Sequence, residues 1–282
     1  MLFNSHAFIF VFLPIALLGF FVLGRFGNQL AAFWLMAASL VFYGDPFSIY
    51  VWLLVGSIAF NFACGRWLAR ENGRHRTALF WAAIVANLTV LGYFKYTNFF
   101  VAELSRVTGL DLGIGRILLP TGISFFTFTQ IAFLVDTYRG KVKEFNLIHY
   151  ALFVSYFPHL IAGPVLHHGE MMPQFRRLET YRFDFENITV GLTIFLMGLF
   201  KKVILADNVA AYVAPVFDVS TGAASSGLVG AWAAALAFGL QLYFDFSGYS
   251  DMAIGLSRLF GVVLPLNFAS PYKAVNIIEF WR

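Results

Sequence analysis

The chain has 282 residues, of which 60% are hydrophobic, 19% aromatic and 12% charged. Soluble globular domains are about 45–50% apolar and about 25% charged, so this composition excludes an ordinary water-soluble domain and indicates a membrane protein. The net charge of +4 lies in short basic clusters between apolar runs, which is typical of loops between membrane spans rather than of nucleic-acid binding. The single cysteine, Cys64, excludes an intrachain disulfide or a CxxC metal site.

Apolar runs recur along the whole chain, and a membrane-spanning helix needs about 20 mostly apolar residues. The first run has no basic residue before it and no cleavage motif after it, so we predict a retained span rather than a signal peptide. A short interfacial helix is predicted at 208–218, and the run 250–265 is too interrupted to form a span alone. The sequence predicts spans at 7–24, 30–44, 47–64, 78–97, 117–135, 148–163, 188–206 and 228–246.

Basic residues predict the orientation of these spans. The segment 65–76 contains four arginines, which places it in the cytoplasm by the positive-inside rule. Counting spans from there puts ten basic residues inside and six outside, with Arg25 inside and Arg182 outside. The assignment inverts after residue 163 if the run 148–163 turns back instead of crossing.

Two apolar stretches, 118–139 and 239–258, carry polar and ionisable side chains. Charged groups are costly in hydrocarbon and usually face the interior of a helix bundle or a wet cavity. We therefore expect an intramembrane polar chamber. The side chains that predict it include Gln130 and Asp136 in the first stretch, and Asp245, Ser247, Asp251 and Arg258 in the second.

Asp245 and Asp251 are six residues apart, so on a straight helix they point to opposite sides. They meet only if the helix breaks at Ser247 and Gly248, and such a break must line a cavity or be buried in protein. The alternative is an interfacial turn whose acidic side chains cap helix ends. The spacing does not decide between these two arrangements.

The stretch Ser155–Phe175 contains three of the six histidines. A metal site from His167, His168 and Glu170 is one hypothesis, and a histidine acting as general base is a second. Pro158, Gly163 and Pro164 make one straight helix improbable. The spacing of the histidines instead favours polar side chains in a loop at the membrane surface, and the same interpretation applies to His6, His75 and His149.

The segment 264–282 is rich in residues that favour irregular backbone, and it includes Asn267. Glu279, Trp281 and Arg282 then open a new amphipathic helix. Because so short a helix has no stability of its own, we expect the sequence to be truncated.

Four ordered stretches carry a resemblance to a known family. They are MLFNSHAFIFVFLPI (1–15), LPTGISFFTFTQIAFLVDTYRG (119–140), FVSYFPHLIAGPVLHHGEMMPQF (153–175) and QLYFDFSGYSDMAIGLSRLFGVVLPLNFASPYKAVNIIEFWR (241–282). With these motifs the chain resembles the membrane-bound O-acyltransferase family, in particular its bacterial branch of alginate O-acetylase type. The resemblance implies an all-α, polytopic transmembrane helix bundle with broken or re-entrant helices around an intramembrane chamber. Residues 1–282 would form the N-terminal part of one such membrane domain.

The resemblance implies transfer of an acyl group, in the first place acetyl. The donor would be cytoplasmic acetyl-CoA or another acyl carrier, used as a co-substrate with no bound cofactor. The acceptor would be a hydroxyl of an exported polysaccharide such as alginate, or of a periplasmic acetyltransferase partner protein. The expected location is the bacterial inner membrane, where the lipid bilayer is a further partner. Nucleic acid is not an expected partner.

In the family, the sequence after EFWR continues to a catalytic histidine, which would be the third residue beyond Arg282. The resemblance therefore assigns no catalytic histidine within the chain, and implies that this stretch alone is inactive. His159, His167 and His168 are departures from the family pattern. The tunnel or structural candidates are Gln130, Asp136, Pro158, Gly163, Pro164, Glu170, Asp245, Ser247, Asp251, Asn267, Glu279, Trp281 and Arg282.

A function of another class, an ion- or solute-coupled transporter, is an alternative. It is motivated by Asp136, Asp245, Asp251 and Arg258, because ionisable groups at membrane depth often mark ion paths. Inverted repeats, which many transporters contain, are not visible in the sequence.

Overall fold

The computed structural model describes residues 1–44, 49–109, 115, 117–142, 144–161, 163, 168–217, 227–268 and 270–280. Within these ranges the chain forms helices and no β-strand, which confirms the predicted all-α class. The chain contains two compact units. Unit 1 comprises residues 1–25, 162–164 and 179–282, and unit 2 comprises residues 26–161 and 165–178.

Helices form nearly all of both units. Unit 1 begins with a π-helical turn, Phe8–Phe12, that leads directly into α1. A second π-helical segment, Lys201–Ala206, joins α9 to α10 without a break. In chain order the α-helices are α1 (Leu13–Gly24), α2 (Asn28–Tyr43), α3 (Tyr50–Leu68), α4 (Gly73–Thr108), α5 (Ile123–Tyr138), α6 (Leu147–Ser155), α7 (Phe157–Leu160), α8 (His168–Arg176), α9 (Phe185–Phe200), α10 (Asp207–Phe217), α11 (Leu228–Leu259) and α12 (Ile277–Phe280).

Four helices of the described chain are long and apolar enough to cross a bilayer. They are Tyr50–Leu68, Gly73–Thr108, Phe185–Val213 and Leu228–Leu259. The apolar helices Phe8–Gly24 and Asn28–Tyr43 are shorter. The four long apolar helices make the chain a multi-pass membrane protein. Helix α5 is shorter: its 16 residues extend about 24 Å at 1.5 Å per residue, less than the hydrocarbon thickness of about 30 Å.

The predicted span at 148–163 is not one helix. The nine-residue α6 ends at Ser155, and Tyr156 adopts an extended conformation with φ −54° and ψ 109° before α7 begins. Pro158 lies in the first turn of α7, where its missing N–H costs no helical hydrogen bond. In a continuous helix the same proline would lose its bond to the preceding turn and clash with it. The break near Pro158 confirms that one straight helix does not cross this region.

The run 250–265 forms no separate span, as predicted, because its residues up to Leu259 belong to the continuous 32-residue α11. One predicted boundary is wrong. The basic segment 65–76 is not a loop of that length, because α3 extends to Leu68 and α4 starts at Gly73. Residues 208–217 are helical as predicted, but they do not form a separate short interfacial helix, because α10 continues α9 through the π-helical segment and Phe185–Val213 is one apolar helix.

The predicted placement of Arg25 and Arg182 on opposite membrane faces is also wrong. In unit 1 the end of α1 packs directly against the turn that precedes α9. A Cβ atom on Gly24 would lie 2.9 Å from the carbonyl oxygen of Tyr181, and the Phe20 and Tyr181 rings are 5.4 Å apart. Arg25 and Arg182, the next residues along the chain, therefore lie at the same end of unit 1. Counting 148–163 as a complete crossing caused the error.

Candidate functional site

The first polar site is a lysine–aspartate cluster in unit 1. Lys201 donates from Nζ to Asp251, and Lys202 Nζ lies 2.7 Å from Asp245 Oδ1 and 2.8 Å from Asp207 Oδ1. The two lysine side chains are each 28% exposed, Asp251 is 23% exposed and Asp245 is 50% exposed. Two ammonium groups thus face three carboxylates, and every charge of the cluster has a partner of opposite sign.

Glycines explain how the backbones of α9 and α11 come close enough to form this cluster. The two helices are antiparallel, since Gly191 meets Gly255 and Gly198 meets Gly248. A Cβ on Gly198 would lie 2.6 Å from the Gly248 carbonyl oxygen, which is closer than real Cβ atoms approach. Small residues permit such close packing of membrane helices. The lysines follow Gly198 by three and four positions, so they flank the contact.

The helix break at Ser247 and Gly248, one of the two arrangements that the spacing left open, does not occur. Helix α11 continues through both residues, and Gly248 permits the close contact with α9 instead of a turn. The aspartates do not point to opposite sides of α11 as predicted, because six residues of a straight helix leave them about 120° apart. Their carboxylates meet two adjacent lysines, Asp251 with Lys201 and Asp245 with Lys202. The capping alternative is wrong as well, because both aspartates lie in the interior of the helix.

The second polar site is an uncharged amide network in unit 2, built by α3, α4 and α5. Asn61 and Asn87 exchange two hydrogen bonds, of 3.0 Å and 2.7 Å, between their side-chain amides. Asn61 also donates to Gln130 Oε1, and Gln130 Nε2 lies 3.1 Å from Ser57 Oγ. Asn61 and Gln130 are fully buried. The predicted candidate Gln130 therefore forms hydrogen bonds with the buried Asn61 amide and the Ser57 hydroxyl.

Sequence reasoning missed most members of these two sites. Lys201 and Lys202 entered only the count of basic residues on the cytoplasmic side. Ser57, Asn61 and Asn87 were not predicted to have any role. A signal was present, since Asn61 and Asn87 are single amides inside the apolar runs FNFACG and VANLTV. An amide in hydrocarbon needs a hydrogen-bond partner. Two such amides on consecutive spans therefore predict a hydrogen bond between Asn61 and Asn87.

The histidines do not form a polar surface loop. His168 begins α8, is buried, and its Nδ1 lies 3.1 Å from Asp136 Oδ2. His159 is also buried, and its Nε2 donates to the Phe153 carbonyl oxygen at 2.9 Å. His149, predicted to lie in a similar surface setting, is buried with its Nδ1 2.6 Å from Glu144. The surface prediction is wrong for all three, because each ring has a partner that stabilises it in the interior.

The remaining predicted residues do not converge on one place. Gly163 is buried, whereas Glu170 in the first turn of α8 and Asn267 are exposed. Glu279 caps α12: its N–H donates to Asn276 Oδ1 at 2.9 Å, and its carboxylate accepts from the Val275 N–H at 3.0 Å. Pro164, His167, Trp281 and Arg282 lie outside the described residues.

The metal hypothesis therefore stays a prediction, because one of its three ligands, His167, is not among the described residues. His168, the second of them, pairs with Asp136. In the described part of the chain, no three His, Cys, Asp or Glu side chains converge as a metal site requires.

Comparison with known proteins decides the family. The sequence profile of the MBOAT, membrane-bound O-acyltransferase, family matches residues 74–282. The chain belongs to the membrane-bound O-acyltransferase family. The match includes all of α5, α9, α10 and α11, and thus the three aspartates of the lysine–aspartate cluster and Gln130 of the amide network.

Similar curated proteins come from bacteria, and their names refer to peptidoglycan, alginate or teichoic acid. The chain is 43% identical over 311 residues to the peptidoglycan O-acetyltransferase of Helicobacter pylori, and 41% identical over 290 residues to "Probable alginate O-acetylase AlgI" of Pseudomonas aeruginosa. Both alignments cover 100% of this chain, but 58% and 54% of the relative. A teichoic acid D-alanyltransferase of Lacticaseibacillus rhamnosus is 26% identical, covering 97% of this chain and 68% of the relative. The chain thus spans about half the length of the first two relatives.

Proposed function

We propose that the protein is an O-acyltransferase that acylates hydroxyl groups of an exported cell-envelope polysaccharide, with acetyl as the transferred group. The observation that carries the proposal is the family match over residues 74–282, together with the whole-chain similarity to the two O-acetylating relatives. The teichoic acid relative also transfers an acyl group to an envelope polymer, by its name. The acceptor is a polysaccharide, such as alginate or peptidoglycan glycan, or a periplasmic acetyltransferase partner that passes the group on.

The donor in this proposal is a cytoplasmic thioester, acetyl-CoA or another acyl carrier, and the protein lies in the bacterial inner membrane. The acceptor hydroxyl oxygen attacks the acyl carbonyl carbon while a histidine takes the hydroxyl proton as general base. The carbon–sulfur bond then breaks, and the same histidine returns the proton to the leaving thiolate. This scheme needs one proton shuttle and no redox partner.

We place that histidine outside residues 1–282, three positions past Arg282, where the family resemblance puts it. Two observations support this proposal. The chain spans only 54–58% of the length of the two O-acetylating relatives. In addition, His159 uses its Nε2 on a backbone carbonyl and His168 uses its Nδ1 on Asp136, so both rings hold the interior of unit 2 together.

The described polar sites have a supporting role in this proposal. The lysine–aspartate cluster holds α9 against α11, and the amide network holds α3, α4 and α5 together. Rigid helices keep an intramembrane acyl path open and aligned, and misplacing reacting groups by about 1 Å can cost a hundredfold in rate. The predicted polar chamber is part of the proposal.

The transporter alternative has lost its main support. It rested on four ionisable groups at or near membrane depth, namely Asp136, Asp245, Asp251 and Arg258. Asp245 and Asp251 face lysines, and Asp136 faces His168. These contacts account for the three carboxylates as structural groups, and the family match points to acyl transfer.

The test is acyl transfer by the full-length protein in proteoliposomes, with radiolabelled acetyl-CoA and an acceptor polysaccharide. Replacing the histidine expected three positions past Arg282 with alanine should lower transfer by at least about a hundredfold, the usual contribution of a general base. His6→Ala, at an exposed position near the N-terminus, is the matched control and should leave transfer unchanged.

Two results would contradict the proposal. Acetyl transfer by residues 1–282 alone would place the chemistry inside this stretch, and His159, His167 and His168 would then be the residues to replace. Solute flux without any acyl transfer by the full-length protein would favour the transporter.

A further inference from the structure

Unit 1 contains an apolar cavity of about 790 Å³ beside α1. Helix α1 contributes Leu17, Leu18, Phe21 and Val22, which share one face because they follow the i, i+1, i+4, i+5 spacing. Phe183 and Ile188 close the other side. The volume lies in the range of small-molecule sites, about 300–1,000 Å³.

The walls of this cavity are fixed by close packing. The approach of Gly24 to the Tyr181 backbone allows no side chain between them. The Phe21 and Phe183 rings meet edge to face with centroids 5.4 Å apart, and Phe20 packs against Tyr181. The cavity is therefore shaped by the fold itself and does not require a ligand to form.

Two arginines lie at one end of the cavity. Arg25 follows the last turn of α1, and Arg182 precedes α9; both line the cavity and both are exposed. Within the described part of the chain, neither guanidinium has a carboxylate at ion-pair distance. The neighbouring acid Asp184 does not line the cavity, and its carboxylate accepts the Glu186 N–H at 2.9 Å.

This combination of an apolar trough and two arginines matches an amphiphilic anion. Guanidinium groups bind phosphate oxygens in a bidentate manner. Basic pockets beside membrane helices bind anionic lipid head groups, and the cytoplasmic leaflet, where the sequence places Arg25, carries a negative surface potential. Leu18 and Val22 are 69% and 43% exposed, so the apolar trough offers surface that a ligand could cover. A free phosphate or a nucleotide would bind the arginines but leave this apolar surface uncovered.

We propose that this cavity binds one anionic phospholipid, with an acyl chain along Leu18, Phe21 and Val22 and the phosphate between Arg25 and Arg182. The site is separate from both polar sites described above. The proposal does not depend on acyl transfer, so the two can fail independently.

The test is native mass spectrometry of the full-length protein with added phosphatidylglycerol or phosphatidylcholine. The wild type should retain phosphatidylglycerol in preference to phosphatidylcholine. Arg25→Gln with Arg182→Gln should weaken phosphatidylglycerol retention by about 30-fold, since each basic residue near an anionic head group contributes about fivefold. Arg177→Gln, an exposed arginine that does not line the cavity, is the matched control and should have no effect.

A second variant tests the apolar part of the site. Leu18→Trp fills the trough from a position that is mostly exposed, so it should fold normally. It should reduce retention of phosphatidylglycerol while both arginines stay in place. The SDS concentration at half-unfolding should match the wild type for all of these variants.

Several outcomes would overturn the proposal. Equal phosphatidylglycerol retention by the wild type and the double arginine variant is one, and equal retention of phosphatidylcholine by the wild type is another. Displacement of the lipid by inorganic phosphate or coenzyme A at equal concentration would show that the arginines serve a soluble anion instead. Unchanged retention in Leu18→Trp would show that the trough holds no acyl chain.

Discussion

The lysine–aspartate cluster of unit 1 and the amide network of unit 2 both place polar side chains in apolar helices, but by different means. In unit 1 formal charges meet across α9 and α11, and a π-helical segment carries both lysines. In unit 2 uncharged amides meet across three regular α-helices. A π-helical segment turns less per residue than an α-helix, so adjacent lysines diverge less and both reach α11.

This difference shows what each kind of polar contact requires of the backbone. Charged pairs in an apolar environment are stable only with good geometry on both partners, and the glycine contacts of α9 with α11 provide that geometry. Amides carry smaller desolvation costs and several donors and acceptors each. They form a network wherever regular helices bring them within reach. Removal of one partner should therefore cost more in unit 1 than in unit 2.

The largest expected effect is that of Asp251→Asn. It leaves the Lys201 ammonium without its carboxylate, and breaking a buried ion pair costs about 3–5 kcal/mol. We expect about 3 kcal/mol, the lower end of that range, because roughly a quarter of each side chain is exposed. The free energy of unfolding in SDS mixed micelles measures the effect.

A double-mutant cycle sharpens this prediction. Lys201→Met combined with Asp251→Asn should cost less than either single change, since no unpaired charge remains. Asp245→Asn is the matched control, because Lys202 keeps Asp207 at 2.8 Å; its cost should be clearly smaller. Equal costs for the two aspartates would show that Asp207 does not compensate for the loss of Asp245. A double variant that costs the sum of the two single changes would show that Lys201 and Asp251 are not coupled.

The next effect concerns the glycine contacts. Gly255→Ala adds a Cβ that would lie 2.4 Å from the Phe195 nitrogen, so α9 and α11 must separate. Overpacking of this kind costs about 1–3 kcal/mol, and we expect about 2 kcal/mol in the same unfolding measurement.

Gly56→Ala is the control for this change. It lies inside α3 with open space where the Cβ would be, and its stability should equal or exceed the wild type. If both alanine variants were equally stable, the close approach of α9 and α11 at Gly255 would be incorrect.

The smallest of the three effects is expected in the amide network. Asn61→Leu removes the donor to Asn87 and Gln130. It also removes the acceptor of the Asn87 amide. Hydrogen bonds between membrane helices average about 0.6 kcal/mol, so we expect a loss of about 1.8 kcal/mol for the three bonds. The double variant Asn61→Leu with Asn87→Leu should lose less unfolding free energy than the sum of the two single variants, because the single changes remove the same hydrogen bonds.

Asn208→Leu serves as control because this exposed asparagine bonds only the carbonyl of its own helical turn. Its cost should be close to zero. A loss at Asn61 as large as that at Asp251 would remove the distinction between the charged and the uncharged site.

Several elements followed from local sequence. Long apolar runs predicted helices because hydrophobic length and composition act residue by residue, and the four long helices confirm a multi-pass protein. Pro158 predicted the break between α6 and α7, because a proline inside a helix removes a hydrogen bond and clashes with the preceding turn. The family motifs also predicted the correct family.

Other features depended on partners that are distant in sequence. The spacing of Asp245 and Asp251 left a broken helix and a capping turn open. Residues within one segment do not show that Lys201 and Lys202, about 50 positions earlier, supply the counter-charges. Gly248 looked like a helix breaker and is a contact point, a distinction that only the neighbouring backbone of Gly198 makes. Histidines 149, 159 and 168 looked like surface residues because their buried partners were not visible.

Apolar length, prolines and ordered motifs thus decided the class, the helices and the family, since these are properties of contiguous residues and the solvent around them. The tertiary structure decided which polar groups meet, which glycines permit close packing, and that Arg25 and Arg182 share one end of unit 1. Those outcomes depend on contacts between helices far apart in the chain. The free energy of such a contact depends on the residues of both helices, so neither segment alone predicts it.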